Sequence, residues 1–203
     1  MKSLILSFLI SFSAFGKGFV PSSFSANFEE SIISKATGKE RKSFGKVDYK
    51  FPSNIRFEVV SPEASLFVSN PQKSWYFLPP FIPGEQGQVT IQKSSKLPLT
   101  KFLDSIRQGV EGSKMFTPKY QGKDLILTFT KTAREETGLK EVILHGTKDA
   151  KTIEKLSEFE KLTLVKADGQ RVNLKFIDLK EDPSFQPRHF EFTVPEKTKI
   201  IQG

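Results

Sequence analysis

SFGKVDYKFPSNIRFEVVSPEASLFVSNPQKSWYFL, residues 43 to 78, decides the fold. Four runs rich in aromatic and β-branched residues, 43–51, 54–60, 65–69 and 73–78, are separated by Pro52-Ser53, Ser61-Pro62 and Asn70-Pro71. Such runs suit a pleated, half-buried surface, and Pro, Asn and Ser supply tight reversals between antiparallel neighbours. The stretch reads as a β-meander. Upstream, Phe24-Ser-Ala-Asn-Phe28 opens a further strand running through Ile33, with Thr37-Gly38 as its turn. With a side-chain period of two, Ile55, Phe57 and Val59, then Leu66 and Val68, then Trp75 and Phe77, are expected on the inner face. Phe67 and Tyr76, at the opposite parity, are apolar too. Strands apolar on both faces need cover on both, or a ligand on one.

The second half repeats the pattern at 87–92, 115–120, 124–131, 139–146, 160–167, 170–179 and 189–194. Asp168-Gly169 predicts a two-residue hairpin turn of type I′, in which both central residues take positive φ. Two segments look helical. Leu97 to Gly109 has Pro98 in its first turn, Leu99, Phe102, Leu103 and Ile106 at i, i+3, i+4 and i+7, and a glycine stop. Asp149 to Glu158, charged around Ile153 and Leu156, reads as a single turn or a surface helix. About a dozen strands exceed what a strongly twisted open sheet holds flat, roughly ten. The expected architecture is therefore mainly β with a few helices (α+β): a single curled antiparallel sheet, an incomplete barrel, with the Pro98 helix covering part of it.

Composition narrows the function. The chain has 203 residues, 37% of them apolar and 27% charged, as in an ordinary globular protein. It has 20 Phe against 1 Trp and 3 Tyr, and no cysteine, which excludes disulfides, thiolate metal sites, a cysteine nucleophile and a lipid-modified cysteine. Met1 to Gly16 reads as a secretory leader, with Lys2, an apolar run from Leu4 to Phe15, and small Ala14 and Gly16 before the cleavage point. The alternative is an apolar N-terminal helix of a cytosolic protein. Cleavage after Gly16 leaves residues 17–203 as one domain and changes the net charge from 31 − 23 = +8 to 30 − 23 = +7. Lys and Arg are interleaved with Glu and Asp along the chain, which reads as a solvated face and not as a nucleic-acid interface. Next to a bacterial envelope, a positive surface meets anionic lipid headgroups instead.

No catalytic set is legible. His145 and His189 stand alone, with no metal-ligand spacing, and there is no G-x-S-x-G elbow. Gly-Lys within residues 38–46 has the wrong spacing for a phosphate loop and Val47 where Ser or Thr is needed. Glu29-Glu30 and Glu135-Glu136 read as solvent-facing charges. The expectation is a binding protein without catalytic activity, metal or cofactor. The plain alternative is that the phenylalanines only fill a core.

The order of motifs resembles the LolA family, periplasmic carriers of outer-membrane lipoproteins, from Phe24 to Gly203. FSANFEE is similar to the family's F-x-A-x-F-x-Q opening strand, and YKFPSNIRFEVVSPEASLFVSN to its basic-Pro turn and following aromatic strand. SWYFLP is similar to L-W-x-Y-x-P, LPLTKFLDSI to the Pro-led central helix, KADGQRVNLKF to the late D-x-x-G-Q hairpin, and HFEFTVPEKTKII to the terminal F-x-F-x-P-x-G-x-x-V-I. The resemblance implies a half-open barrel closed by a helical lid. Its cavity, lined by the inner-face set and by Leu99, Phe102, Leu103 and Ile106, would take the acyl chains of lipoproteins. It also implies an inner-membrane ATP-driven transporter that loads the carrier, an outer-membrane acceptor that unloads it, a periplasmic location and a monomer.

Two departures stand out. The family has a helix before its first strand, where this chain has only Lys17 to Ser23, so either the lid is smaller or cleavage falls elsewhere. The family also places an arginine latch before the strand-turn Pro, where this chain has Phe51. Closure here is then expected to rest on apolar contact, with Arg56 outside. A lipoprotein-sensing or envelope-stress regulator on the same half-barrel is the alternative reading, and a separate domain would favour it. The outer-membrane acceptor of this fold is disfavoured for want of a cysteine. An unrelated envelope hydrolase is the third reading.

Overall fold

The structure is a computed structural model that describes residues 18–34, 37–93 and 97–203. The predicted leader and its cleavage point lie outside the described residues. Among the described residues, twelve strands form one open sheet. The chain enters at its middle with β1 (Ser23–Ile33) and meanders outward through β2 (Glu40–Lys50), β3 (Asn54–Ser61), β4 (Ser65–Ser69), β5 (Lys73–Leu78) and β6 (Gly87–Lys93). It then crosses the concave face through α1 (Pro98–Ser105) to the far edge. There β7 (Phe116–Gln121) and β8 (Asp124–Phe129) lead through α2 (Lys131–Thr137) into β9 (Leu139–Gly146), β10 (Phe159–Lys166) and β11 (Arg171–Glu181). β11 closes antiparallel on β1 from the other side. The chain returns over the convex face, and β12 (Thr198–Gln202) pairs parallel with β6 at the edge. β7, the opposite edge, carries Pro118, which an edge strand tolerates because its missing donor leaves no ladder bond unmade.

The sheet is open and curled, as expected, and antiparallel except for the parallel β6–β12 pair, with four local differences. Residues 189–194 are turn and coil, and the terminal strand is Thr198–Gln202. The segment 149–158 forms two short 3₁₀ turns that bury Ala150 and Leu156. Helix α2, unforeseen, replaces the end of the predicted 124–131 strand; Thr130 caps it through its hydroxyl and Gly138 ends it in the left-handed region at φ 71°. At the β10–β11 hairpin only Gly169 has positive φ, 81°, and its N–H donates to the Lys166 carbonyl while the Lys166 N–H donates to that of Gln170. The connection is thus a type I turn followed by a left-handed glycine, a three-residue loop, because Asp168 stays in the ordinary region.

On the concave side, Phe24, Phe28, Val47, Tyr49 and Ile55 pack with Leu99, Phe102, Leu103 and Ile106 of α1 and with Leu125, Leu127 and Phe129. Gly45 is required here: a Cβ would lie 1.9 Å from the Glu58 carbonyl oxygen and 2.7 Å from the Phe28 ring, so its absence lets Phe28 stack flat on Phe57, centroids 4.1 Å apart. On the convex side, the strap between β11 and β12 covers β2 to β5. Phe192 meets Phe77, centroids 5.0 Å apart, and the His189 Nε2 lies 2.8 Å from the buried Asp48 carboxylate, which also accepts from the Ser25 hydroxyl.

Candidate functional site

Phe57, stacked on Phe28, borders a space on the concave face that both halves of the sheet line. The space is a cavity of about 410 Å³, within the usual range for small-ligand sites. Phe57, Val59, Phe67 and Tyr76 form one wall, Ile32, Val172, Leu174 and Leu164 the other, and Leu97, Pro98 and Leu99 at the start of α1, with Leu139, roof it. Its polar lining residues are Ser65, Glu30 and Lys166. Burial pushes the Glu30 carboxyl above its usual range, and the Lys166 ammonium offsets this in part.

Of the residues expected to line this space, Phe57, Val59 and Leu99 do. Ile55 shares their face but sits one pair deeper, fully buried opposite Tyr49. Phe102, Leu103 and Ile106 face the sheet as core, Phe102 packing on Phe129 with centroids 6.5 Å apart. Leu66, Val68, Trp75 and Phe77 require correction, because the register pairs Phe57 with Phe67 and Phe67 with Tyr76. Concave residues of β4 are therefore odd-numbered and those of β5 even-numbered, which places the four on the convex face under or beside the strap. Alternation could not choose between the faces, since both are apolar, one covered by protein and the other by the cavity wall. Glu30, grouped with solvent-facing charges in the sequence, lies on the concave parity with Phe28 and Ile32.

Helix α1 is fastened by a carboxylate. Asp104 Oδ1 accepts from the Tyr49 hydroxyl at 2.7 Å and the Ser53 N–H at 3.3 Å, and Oδ2 accepts from the Ser53 hydroxyl at 2.9 Å. Ser53, held at φ 63° in the β2–β3 turn, is a non-glycine residue in the left-handed region, and the aspartate stabilises that turn. Burial, and then the bond to Asp104, raise the Tyr49 pKa well above the ordinary phenol range. Phe51, 40% exposed, lies beside this clasp with the Arg107 guanidinium 4.7 Å from its ring centroid. Arg107 also donates to the Ser22 hydroxyl at 2.7 Å. The contact at Phe51 is thus cation on ring, with the cation supplied by the segment after α1. Arg56 is on the convex face, near Glu58, as expected.

No spacing in the chain offers either histidine a carboxylate partner, yet the sheet brings one to each. On the convex face His145 Nδ1 lies 3.1 Å from Asp124 Oδ1, and Nε2 lies 2.9 Å from the Thr163 hydroxyl, which bonds in turn to Asn173. The order resembles a hydrolase relay, but Thr163 is only 4% exposed and its hydroxyl is engaged on both sides, so it offers no accessible nucleophile. Among the described residues, no three of His, Asp or Glu stand close enough to hold a metal ion.

An open, curled, mostly antiparallel sheet with a helix fastened across its concave face and an apolar cavity beneath defines an incomplete β-barrel of the covered kind. Residues 21–193 match the family model described as "Outer membrane lipoprotein carrier protein LolA", and the chain belongs to the LolA family. It is similar to the outer-membrane lipoprotein carrier protein of Pseudomonas aeruginosa, 23% identical over 87% of this chain and 80% of that one, and to its counterpart in Photobacterium profundum, 25% identical over 87% and 81%. Among solved structures, an uncharacterized conserved protein from Thermus thermophilus shares the fold with a TM-score of 0.50, at 10% identity over 90% of this chain and 91% of that one. A LolA superfamily protein from Nitrosomonas europaea matches with a TM-score of 0.45, at 14% identity over 88% and 92%.

Proposed function

We propose that this chain is a periplasmic, non-enzymatic carrier that takes the acyl chains of lipoproteins into the cavity under α1 and ferries them from the inner to the outer membrane. The observation that carries this reading is the apolar cavity itself, lined from both halves of the sheet and from the start of the fastened helix. The names of the curated relatives support it. In the family scheme an inner-membrane ATP-driven transporter loads the carrier and an outer-membrane acceptor unloads it, the carrier acting as a monomer without cofactor.

The volume sets how much can enter. At roughly 30 Å³ per methylene, taken as a water's share of liquid volume, about 14 groups fit. One acyl chain of that order is accommodated with α1 in place. At about 0.8 kcal/mol per methylene, one chain gains roughly 11 kcal/mol, the scale needed to leave a bilayer. Native mass spectrometry of delipidated protein with acylated peptides tests this. Saturable one-to-one binding is expected, weakening about fifteenfold for each two methylenes removed. Absence of saturable binding, or affinity independent of chain length, overturns it.

A further inference from the structure

Resting on that carrier reading, we infer that the cavity also reads the polar neck of its ligand: Glu30 and Lys166 together select an acyl chain joined through an uncharged amide over a free fatty acid. Both side chains line the space that Phe57, Val172 and Leu174 also line. They stand on strands flanking β11, Glu30 on β1 opposite Leu174 and Lys166 at the end of β10. The register sets Glu30 level with Leu162, four residues before Lys166, so the two backbones stand about 16 Å apart and it is the ends of the two long side chains that share the cavity. Among the described residues no ion pair joins them; the Lys166 ammonium is held instead by the Gln170 side-chain oxygen at 2.8 Å.

Glu30 is the unusual member. It is half-buried against apolar walls, and among the described residues no hydrogen bond reaches its carboxylate. A buried acceptor without a donor is costly, and a ligand N–H removes that cost. A trans amide presents its N–H and C=O in opposite directions, so between an acceptor on one strand and a cationic donor two strands away both ends are satisfied. A fatty-acid carboxylate gains from Lys166 but brings a second negative charge beside Glu30 in a poorly solvated space. An amide avoids that repulsion and uses both groups. The acyl chain then runs from this neck along the apolar wall of Phe57, Val59 and Phe67.

The test compares N-palmitoyl-glycinamide with palmitate by displacement of a fluorescent acyl probe from the full mature chain at neutral pH. The wild type is expected to bind the amide about tenfold or more tightly than palmitate. Glu30→Gln should shrink that ratio about fivefold or more, chiefly by tightening palmitate. Lys166→Met should weaken both ligands, palmitate the more. Because the reading is a ratio measured on one protein sample, partial unfolding lowers both affinities without changing it. Equal binding of the two ligands by the wild type, or a ratio unchanged in Glu30→Gln, overturns the inference and leaves the carrier reading standing. If neither ligand binds the wild type saturably, the cavity reading falls and takes the inference with it.

Discussion

Removing the Asp104 carboxylate should free α1 from the sheet more than it unfolds the sheet. Asp104→Ala breaks three hydrogen bonds at once and leaves the fully buried Tyr49 hydroxyl and the buried Ser53 donors without an acceptor. Taking roughly 1.5 kcal/mol for each of the two short bonds to a charged acceptor and about 1 kcal/mol for the longer one gives a loss of about 4 kcal/mol. If α1 opens as a unit, that loss falls on its local opening equilibrium, and amide exchange across Pro98–Ser105 should accelerate by up to roughly a thousandfold. Exchange in β10 and β11 should change far less, and an acyl probe should leave faster. Tyr49→Phe removes one of the three bonds and should cost about 1.5 kcal/mol. Combined with Asp104→Ala in a double-mutant cycle, it should show coupling of about 1 kcal/mol or more. Exchange across α1 no faster than in the wild type, or equal acceleration of exchange in α1 and the sheet, would refute the clasp.

Phe57→Asp should abolish acyl-probe binding or lower stability by several kcal/mol, because it places an unpaired charge against Phe28, whereas Glu58→Gln on the convex face should leave both within about 0.5 kcal/mol of wild type; denaturation curves and probe titration separate the cases. Phe51→Ala should lose only the exposed cation–π contact, about 0.5 to 1 kcal/mol. Phe51→Arg should speed probe release instead of restoring a family-type latch, since the new guanidinium meets Arg107; slower release would contradict this. Glu30 has a folded-state pKa raised by burial, so its contribution is most favourable below the ordinary carboxyl pKa and is lost as pH rises through the raised value. Glu30→Gln should therefore raise the melting temperature at neutral pH, with the gain vanishing near pH 4, and a gain constant across that range would refute the assignment.

The strands were legible because their signals are local: residues 65–69, 73–78 and 139–146 fall where turn residues and apolar alternation put them. The direction of the faces was not. Period two fixes which residues share a face within one strand, but relating β3 to β4 needs the pairing across Ser61-Pro62-Glu63-Ala64, and a shift of one position there moved Leu66, Val68, Trp75 and Phe77 to the far side. Helix α2 was missed because Thr130 and Gly138 bracket a segment of mostly polar residues, in which the caps carry more signal than the periodicity. The partners of Asp104, Tyr49 and Ser53, lie 55 and 51 positions away, and His145 and His189 find their aspartates 21 and 141 positions away. Such pairings are created by the topology, and no motif in the chain announces them.

That the chain begins its sheet in the middle has a consequence for how the protein is made. β1 is among the first strands to leave the ribosome or a secretion pore, yet its partner on one side is β11, with paired residues 140 (172 − 32) to 157 (181 − 24) positions later. The meander from β1 to β6 can form from near neighbours, while one flank of β1 keeps its amide and carbonyl groups bare until almost the whole chain has followed. A bare strand edge is a template for pairing with other chains. Until residue 171 has followed, therefore, the flank of β1 is the surface that a holding chaperone must mask, and a chain truncated before that residue would be expected to aggregate through β1 even though every strand from β1 to β6 is intact.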